Sequence, residues 1–571
     1  MVVNHLFSLS ITVSLNAIPM LPSLFVIQSV VVTRLSLLSS SIRAFVMVPQ
    51  QGIKLAVYLV ASYFGDLNAK VCDCLLRRGT LTLANIIMFT DLSGVNVKNC
   101  LLVLIHHNCV QAFAVQEDGA MGKLPKVTTK YMALFDNIIH HMRFPKFIEI
   151  VSNELGKECE EIFEGLLQHG RLSLNQILDR IKQTANQGNS AEDSVQDNFH
   201  KLVQARFVER CPAPEPFLAP PAEEKSSTKR SSKTFKVLET IEQLALAAAA
   251  PLESMRFLVD DTWTNPSEEK DEETSHGVTI GQKRKLDSIE SDDVSLLADG
   301  KKEILWRVNF EEFVRCLRHK ACVENIRRRM NVEAGIVLEA ILELSRKSEA
   351  KVKTVNTVPL SVNAIYDQVI KKEAGLGMNL ESTRAALGQL GCEDAMLGTD
   401  DSFSIDLKTI IEIAQNEEVE SIVLKRYGRE AYRMFRLLSR AEHLIETDKI
   451  ADTTFVEKKD TLKLLYRLWT DNYLQMQKVN VPGAKQSEFL LWKVNKQPLW
   501  ENVLDEMYHA ALNLRLRIAH EQEQEKEILQ IPKERLIGEL GNRYKRLVKV
   551  RIILESSLMN LDGAILLFHE F

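Results

Sequence analysis

The chain has 571 residues, of which 26% are charged and 45% hydrophobic, and its formal net charge is −5. This length predicts several domains, each able to bury its own core. The acidic excess argues against a protein that coats nucleic acid with its whole surface, so any such contact should come from local basic patches. The nine cysteines show no disulfide-framework spacing, which favours a reducing, intracellular compartment.

The N-terminal 1–51 stretch is rich in Ser and Leu, and the first acidic residue of the chain is Asp66. This composition resembles an organelle transit peptide mildly, and the alternative is a disordered or artefactual extension. The apolar run Leu24–Val32 is too short to span a membrane. We therefore expect no folded domain here.

Two winged helices are predicted next, over 52–120 and 126–212. In the first, helices over 53–64, 68–78, 82–90 and 95–107 precede a strand over 109–115, where apolar and polar residues alternate. The helix over 95–107, which takes the place of the recognition helix, carries only Lys98 and the pair His106 and His107 as basic residues. Contact with protein is therefore a better interpretation than contact with DNA. In the second, helices are predicted over 147–169, 172–184 and 195–205, with a polar turn over 186–193 and a wing from Phe207.

A linker and an acidic insertion are predicted over 213–303. The stretch 212–221 reads PAPEPFLAPP, which is typical of a stiff polyproline segment, and a short helix is predicted over 235–250. Residues 260–300 are strongly polar and should be disordered in isolation. Lys283, Arg284 and Lys285 are a candidate nuclear localisation signal, and a solvated charge run is the alternative.

A third winged helix with an expanded helical part is predicted over 304–405. Helices are expected over 310–321, 323–329, 332–346, 362–372 and 380–390, with a strand over 403–405. Arg327, Arg328 and Arg329 form a compact basic patch at the end of a helix. Contact with a nucleic-acid backbone and ion pairing with an acidic protein both remain open for this patch.

The fourth winged helix, over 406–495, has the clearest pattern. A helix over 429–441 and a short helical segment over 446–453 precede a longer helix from Glu457, on which Leu462, Leu465 and Trp469 should share the buried face. Strands over 473–479 and 489–494 make the wing. Lys459, Lys463 and Arg467 form a basic stripe at helical spacing on the helix that enters a DNA groove in DNA-binding winged helices.

Two long helices, over 499–531 and 533–569, close the chain. Taken with the four predicted winged helices, they make the predicted fold class mainly α with small β wings. The two helices are predicted to form an antiparallel coiled-coil hairpin over 498–571, with Pro532 in the first turn of the returning helix. The apolar stripe of the second helix, which should lie between the helices or bind a partner, comprises Leu540, Leu547, Leu554, Leu558 and Leu561.

No catalytic, cofactor or metal site is predicted. Gly119, Gly122 and Lys123 are too closely spaced for a phosphate-binding loop. Cys72 and Cys74 lie one residue closer together than the pairs of structural zinc sites. The chemistry expected of this chain is binding.

One family resemblance comes from two stretches. Residues 428–479, which read GREAYRMFRLLSRAEHLIETDKIADTTFVEKKDTLKLLYRLWTDNYLQMQKV, strongly resemble the winged-helix (third) subunit of RNA polymerase III, a member of its peripheral three-subunit subcomplex. Residues 52–87, the acidic insertion and the C-terminal helices are similar in order and placement, and residues 1–51 have no counterpart.

The resemblance implies four tandem winged helices around a coiled-coil stalk, in a nuclear, non-catalytic subunit. Such a subunit docks on the clamp of the largest polymerase subunit. With its two companion subunits and initiation factors, it supports promoter-specific initiation and opening of DNA for small non-coding RNA genes. Its implied partners include promoter DNA, in single-stranded form as well. Three alternatives remain: a free-standing winged-helix regulator that binds specific DNA, a helical-repeat scaffold that ends in one winged helix, and an enzyme. A repeating helical pair, or an assembled set of catalytic residues, would favour the last two.

Overall fold

A computed structural model describes residues 48–117, 126–185, 190–218, 240–259, 303–346, 348, 354–392, 402–441, 443–480, 488–532 and 535–571. The expectations for 1–47, for most of the acidic insertion and for Lys283, Arg284 and Lys285 lie outside these residues.

The first described segment contains the predicted helices and strand, with ends shifted by a few residues. Gly65 and Gly79 have φ of +92° and +78°, and this backbone, which favours glycine, ends the first two helices. The elements are α1 (Gln50–Phe64), α2 (Asp66–Arg78), β1 (Leu81–Thr82), α3 (Leu83–Thr90), α4 (Gly94–His106) and β2 (Val110–Glu117).

The second segment differs from its prediction in two places. The single helix predicted over 147–169 is wrong, because Gly156, with φ of +91°, divides it into two helices. The polar turn predicted over 186–193 is wrong in its second half, because a helix begins at Ser190. The elements are β3 (Lys126–Ala133), α5 (Phe135–His140), α6 (Phe144–Leu155), α7 (Lys157–His169), β4 (Leu172–Ser173), α8 (Leu174–Ala185), α9 (Ser190–Gln204), β5 (Val208–Arg210) and β6 (Phe217–Leu218).

The middle of the chain is mostly helical. The two helices predicted over 310–329 are one continuous helix. The elements are α10 (Ile241–Ala249), α11 (Glu253–Arg256), β7 (Leu305–Val308), α12 (Phe310–Arg329), α13 (Val332–Arg346), β8 (Leu360–Ser361), α14 (Val362–Ile370), α15 (Leu380–Gln389), β9 (Ser402–Phe403) and α16 (Leu407–Tyr427).

The last segment has the predicted order of helices, wing strands and two long helices. The returning helix begins at Glu539, after Gly538 with φ of +68°, so the placement of Pro532 in its first turn is wrong. The elements are α17 (Arg429–Arg440), β10 (Ile445–Glu446), α18 (Thr447–Thr454), α19 (Lys458–Thr470), β11 (Gln475–Asn480), β12 (Glu488–Lys493), α20 (Lys496–Gln524), α21 (Lys526–Leu529) and α22 (Glu539–His569).

The chain forms two compact units, and each is discontinuous in sequence. One unit contains residues up to Leu101, residues 133–143 and residues 311–571. The other contains residues 102–132 and 144–310. Residues 126–212, predicted as one winged helix, therefore contribute to both.

The smaller unit contains a three-stranded sheet of order β4-β7-β5. Strand β7, which the sequence placed in the third winged helix, pairs antiparallel with both strands of the second, with Trp306 opposite Leu172 and Val308 opposite Val208. Trp306 and Val308 are both buried, which explains the pairing, because alternate residues of β7 point into this core.

The proline-rich stretch predicted as a linker also belongs to the smaller unit. Strand β6 pairs parallel with β2, with Ala114 opposite Phe217. The side-chain amide of Gln111 donates hydrogen bonds to the carbonyl oxygens of Ala213, at 2.9 Å, and Pro214, at 3.3 Å. Prolines are tolerated here because an edge strand needs few N–H donors.

The larger unit has one core around α13, which packs on α14 and α15 and is completed by residues of α12 and α16. A second packing layer joins α20 to both α22 and α1. Tyr508, in the first half of α20, packs edge-on against His569 at the end of α22, and Glu525, just after α20, pairs with Arg543 near the start of α22. The two long helices are therefore antiparallel.

Candidate nucleic-acid and partner interfaces

The fourth winged helix is built from α17, α18 and α19 and a sheet of order β10-β12-β11. Trp492 anchors it: its side chain is fully buried, and Nε1 donates a 2.8 Å hydrogen bond to Thr447 Oγ1. The Tyr466 ring packs edge-on against Trp492, with centroids 5.6 Å apart. This packing holds α18 and α19 against the wing.

Two tyrosines connect this module to the helices beside it. Tyr427 donates a hydrogen bond to Asp471, and Tyr473 donates one of 3.2 Å to Glu506 Oε2 on α20. Burial and the carboxylate partners raise the pKa of both phenols well above the usual value. Both hydroxyls therefore stay protonated and act as donors.

The predicted basic stripe lies on the surface of α19. Lys459, Lys463 and Arg467 are all exposed. Lys463 Nζ lies 3.0 Å from Asp460 Oδ1, and the Arg467 guanidinium lies 5.1 Å from the centre of the Tyr427 ring. The three side chains are therefore accessible to a ligand, and their contact with DNA stays a prediction.

The surroundings of this stripe are electrically balanced. Residues 446–467 contain five acidic and five basic side chains, so this stretch has no net formal charge. Lys458 Nζ lies 3.1 Å from Asp448 Oδ2. A phosphate approaching α19 would therefore meet carboxylates as well as ammonium groups.

The buried face of α19 differs from its prediction. Thr461, Leu465 and Leu468 are buried, whereas Trp469 is 41% exposed. Leu462 is half-buried. The expectation that Leu462, Leu465 and Trp469 share the core face is right only for Leu465.

The basic patch at the end of α12 is largely paired with acidic side chains. Arg327 Nη2 lies 2.5 Å from Glu339 Oε2, and Arg329 Nε lies 3.2 Å from Glu417 Oε1. Arg328 donates a 3.3 Å hydrogen bond to the carbonyl oxygen of Glu324. These pairs reduce the positive charge available to nucleic acid, and contact of this patch with DNA also stays a prediction.

The sequence interpretation missed a second basic surface, on α17. Arg429, Arg433, Arg436 and Arg440 are all exposed and follow one another at intervals of three or four residues. The opposite face of α17 is buried through Ala431, Met434, Phe435 and Leu438. The spacing is present in the sequence, but the winged-helix pattern by itself points to α19, the usual recognition helix.

The predicted stripe of α22 is buried except at its first residue. Leu540 is 39% exposed, since it lies one residue after the start of the helix. The other four leucines are buried between the packed helices: Leu547, Leu554, Leu558 and Leu561. A regular coiled coil stays a prediction.

The first module exposes apolar side chains on α3 and α4. Met88 is 61% exposed and Val95 is 68% exposed. In the part of the chain that the structure describes, no single helix is long and apolar enough to cross a membrane; α3 and α4 reach that length and composition only as a pair bent by 112°.

The cysteines of this module are buried thiols. Burial raises the pKa of the Cys72 thiol to about 12, which keeps it protonated. Within the described ranges, no three His, Cys, Asp or Glu side chains lie close enough to hold a metal ion.

Comparison with known families gives three matches to one protein. Residues 197–437 match RNA polymerase III subunit RPC82, and residues 54–115 match the helix-turn-helix domain of that subunit. Residues 419–494 match the C-terminal winged-helix domain of POLR3C. The chain belongs to the RPC82 family of RNA polymerase III subunits.

Individual members of this family align over most of the chain. RNA polymerase III subunit RPC3 of Danio rerio is 26% identical over 500 residues, which cover 84% of this chain and 86% of that protein. The Homo sapiens subunit is 24% identical, with the same coverage. The Dictyostelium discoideum subunit is 20% identical and covers 91% of this chain and 99% of its own length.

Proposed function

We propose that the chain is a non-catalytic subunit of nuclear RNA polymerase III. In this role it docks on the polymerase clamp and, with its two companion subunits, supports promoter-specific initiation and DNA opening at small non-coding RNA genes. The observation that carries the proposal is the agreement of three separate family matches, spread from residue 54 to residue 494, on one polymerase subunit.

Exposed apolar side chains support docking onto protein. Phe455, in the turn between α18 and α19, is 92% exposed and has φ of +55°, a left-handed backbone that bulky residues rarely adopt. Met88 and Val95 are exposed on the first module. Exposed apolar groups of this size are typical of protein contact surfaces.

DNA contact belongs to the same proposal. We expect promoter DNA near Lys459, Lys463 and Arg467 of α19, and near Arg327, Arg328 and Arg329 of α12. The balanced charge around α19 supports weak contact with the DNA backbone within an assembled polymerase rather than reading of bases by the free chain.

The alternative is a free-standing regulator that binds specific DNA sequences. Such a protein needs a polar set on its recognition helix that reads base edges, in a surface attractive to phosphate. The carboxylates beside α19 count against it. Sequence-selective binding of a promoter duplex by the isolated chain, with a dissociation constant of about 10⁻⁸ M or tighter, would favour it.

Purification of the tagged full-length chain from its own cells tests the proposal. We expect RNA polymerase III subunits to co-purify at salt concentrations that remove nucleic acid, and crosslinking mass spectrometry of that assembly to join this chain to the largest subunit. Recovery of the chain without any polymerase subunit would contradict polymerase membership. Recovery with the polymerase but without crosslinks to the clamp would contradict only the docking site.

A further inference from the structure

We propose that the four arginines of α17 form a binding site for the phosphate backbone of duplex DNA. This arginine stripe consists of Arg429, Arg433, Arg436 and Arg440. The inference rests on the proposed function, because the stripe would position DNA beside the polymerase. It assigns the strongest DNA contact of this module to the first helix of the winged helix instead of the third.

The geometry of the stripe fits a regular row of anions. At 3.6 residues per turn, the four arginines fall within a sector of about 60° on the helix. With 1.5 Å of rise per residue, the distance from Arg429 to Arg440 is about 16 Å along the axis, long enough for the stripe to face several phosphates of a DNA strand. The buried residues on the opposite face fix the orientation of the stripe.

The charge of α17 is available to a ligand. The helix contains four arginines and a single acidic residue, Glu430. Among the described residues, Arg429, Arg433 and Arg440 form no ion pair. Arg436 Nη1 donates a 2.9 Å hydrogen bond to the Tyr432 hydroxyl, and its Nε lies 3.8 Å from Glu420 Oε2, a distant pair. Lys463 of α19, in contrast, is paired with Asp460.

Duplex DNA fits this surface better than single-stranded nucleic acid. Proteins that bind single strands combine positive charge with aromatic rings on which bases stack. Neither aromatic residue of α17 offers such a ring: Phe435 is buried in the module, and Tyr432 is half-buried and already bonded to Arg436. A row of guanidinium groups on a fixed helix matches the regular phosphate row of a duplex, and contacts to phosphates carry no sequence information.

The test compares two triple variants of the full-length chain. Arg429→Gln, Arg433→Gln and Arg440→Gln together remove three charges from α17, and Lys459→Gln, Lys463→Gln and Arg467→Gln remove three from α19. Gln is a good helix former, and each residue of the first triple lacks an ion pair among the described residues, so the helices should stay intact. Binding to a fluorescent 30-base-pair duplex, and to DNA and RNA single strands of equal length, is measured by anisotropy between 50 and 200 mM salt.

We expect the α17 triple to weaken duplex binding on the order of tenfold at the lower salt concentration, equally for two unrelated duplex sequences. The slope of log affinity against log salt should decrease in magnitude by about 3. The α19 triple should change both quantities less, and circular dichroism should be the same for all three proteins.

Unchanged duplex binding in the α17 triple, or a wild-type chain that does not bind the duplex, would overturn the inference. Loss of polymerase association by that triple with unchanged duplex binding would assign the stripe to an acidic protein surface and also overturn it. A loss of binding confined to the DNA and RNA single strands would also overturn the inference. Wild-type co-purification with polymerase III is scored separately, so failure of the proposed function remains distinguishable.

Discussion

Arg143 and Asp562 form a fully buried ion pair between residues 419 positions apart in the chain, with 2.9 Å between Nε and Oδ1. Arg143 Nη1 also donates a 2.8 Å hydrogen bond to Glu570 Oε1. Both contacts fasten the short segment 133–143 to the end of α22. They connect a segment from the first third of the sequence to the last helix inside the larger unit.

Removal of this arginine should loosen the larger unit. Arg143→Met leaves Asp562 and Glu570 as buried carboxylates without their main partner, which costs about 3–5 kcal/mol. Hydrogen exchange of the amides of 135–143 measures the free energy of local opening. The exposed pair of Arg77 with Asp73 supplies the control, and Arg77→Met should change stability by less than about 1 kcal/mol. Equal effects of the two variants would contradict this expectation.

The stability of the same region should depend on pH through His569. Burial lowers the pKa of this imidazole, but hydrogen bonds to Asp136 and Glu570 outweigh burial and raise it to about 9. Because the folded pKa lies above the ordinary value of about 6.5, the stabilisation is complete below pH of about 6.5 and is lost as the pH rises through about 9.

This contribution is on the order of 2 kcal/mol, less than the full shift would give, since the side chain of Asp136 is 65% exposed and water screens its charge. The difference in denaturation midpoint between the wild-type chain and His569→Gln should therefore be large at pH 6 and small at pH 9.5. The exposed His520 serves as a control, and His520→Gln should show no such trend. A difference in denaturation midpoint that grows with pH would contradict the raised pKa of His569.

Two leucines of α22 should respond unequally to truncation. Leu558 is 2% exposed and Leu540 is 39% exposed on the same helix. Leu558→Ala should cost about 2–5 kcal/mol, because it opens a cavity between α20 and α22, whereas Leu540→Ala should cost less than about 1 kcal/mol. Thermal denaturation compares them directly. If Leu540→Ala leaves stability intact but weakens polymerase association, Leu540 belongs to a partner surface.

Two glycines that end helices provide a matched pair in the smaller unit. Gly156 and Gly170 have φ of +91° and +78°. A Cβ on Gly170 would lie 2.4 Å from the carbonyl oxygen of His106, whereas one on Gly156 would meet nothing within 4 Å. Gly156→Ala should cost only the backbone strain of about 1–2 kcal/mol. Gly170→Ala should lower the melting temperature several degrees further, and similar melting temperatures would show that the backbone shifts without cost.

Local periodicity explains most of what could be predicted. The helices of the first and fourth winged helices appear within a few residues of their predicted bounds, because burial of one helix face imposes a 3.6-residue pattern on the sequence itself. The wing strands followed from alternation, and the arginine stripe of α17 had an equally clear spacing.

Pairing between distant segments could not be predicted in the same way. The sequence placed residues 305–308 in the third module, whereas the strand β7 that they form pairs with strands of the second. A local pattern does not show which core receives Trp306 and Val308. The proline-rich stretch looked like a linker because composition does not show that β2 has an edge open to β6. The carboxylate partners of Arg327 and Arg329 come from other helices, α13 and α16, which a pattern within α12 does not show.

The sequence by itself determined the family, the helix-rich class, the order of winged-helix elements and the antiparallel course of the last two helices. These depend on residues close together in the chain, whose spacing reflects which side faces the core. Only the tertiary structure decided which basic groups remain free of carboxylates, which leucine of α22 is exposed, and that Arg143 is buried against Asp562. These depend on long-range packing, where a charge or an apolar side chain acquires its environment from segments hundreds of residues away.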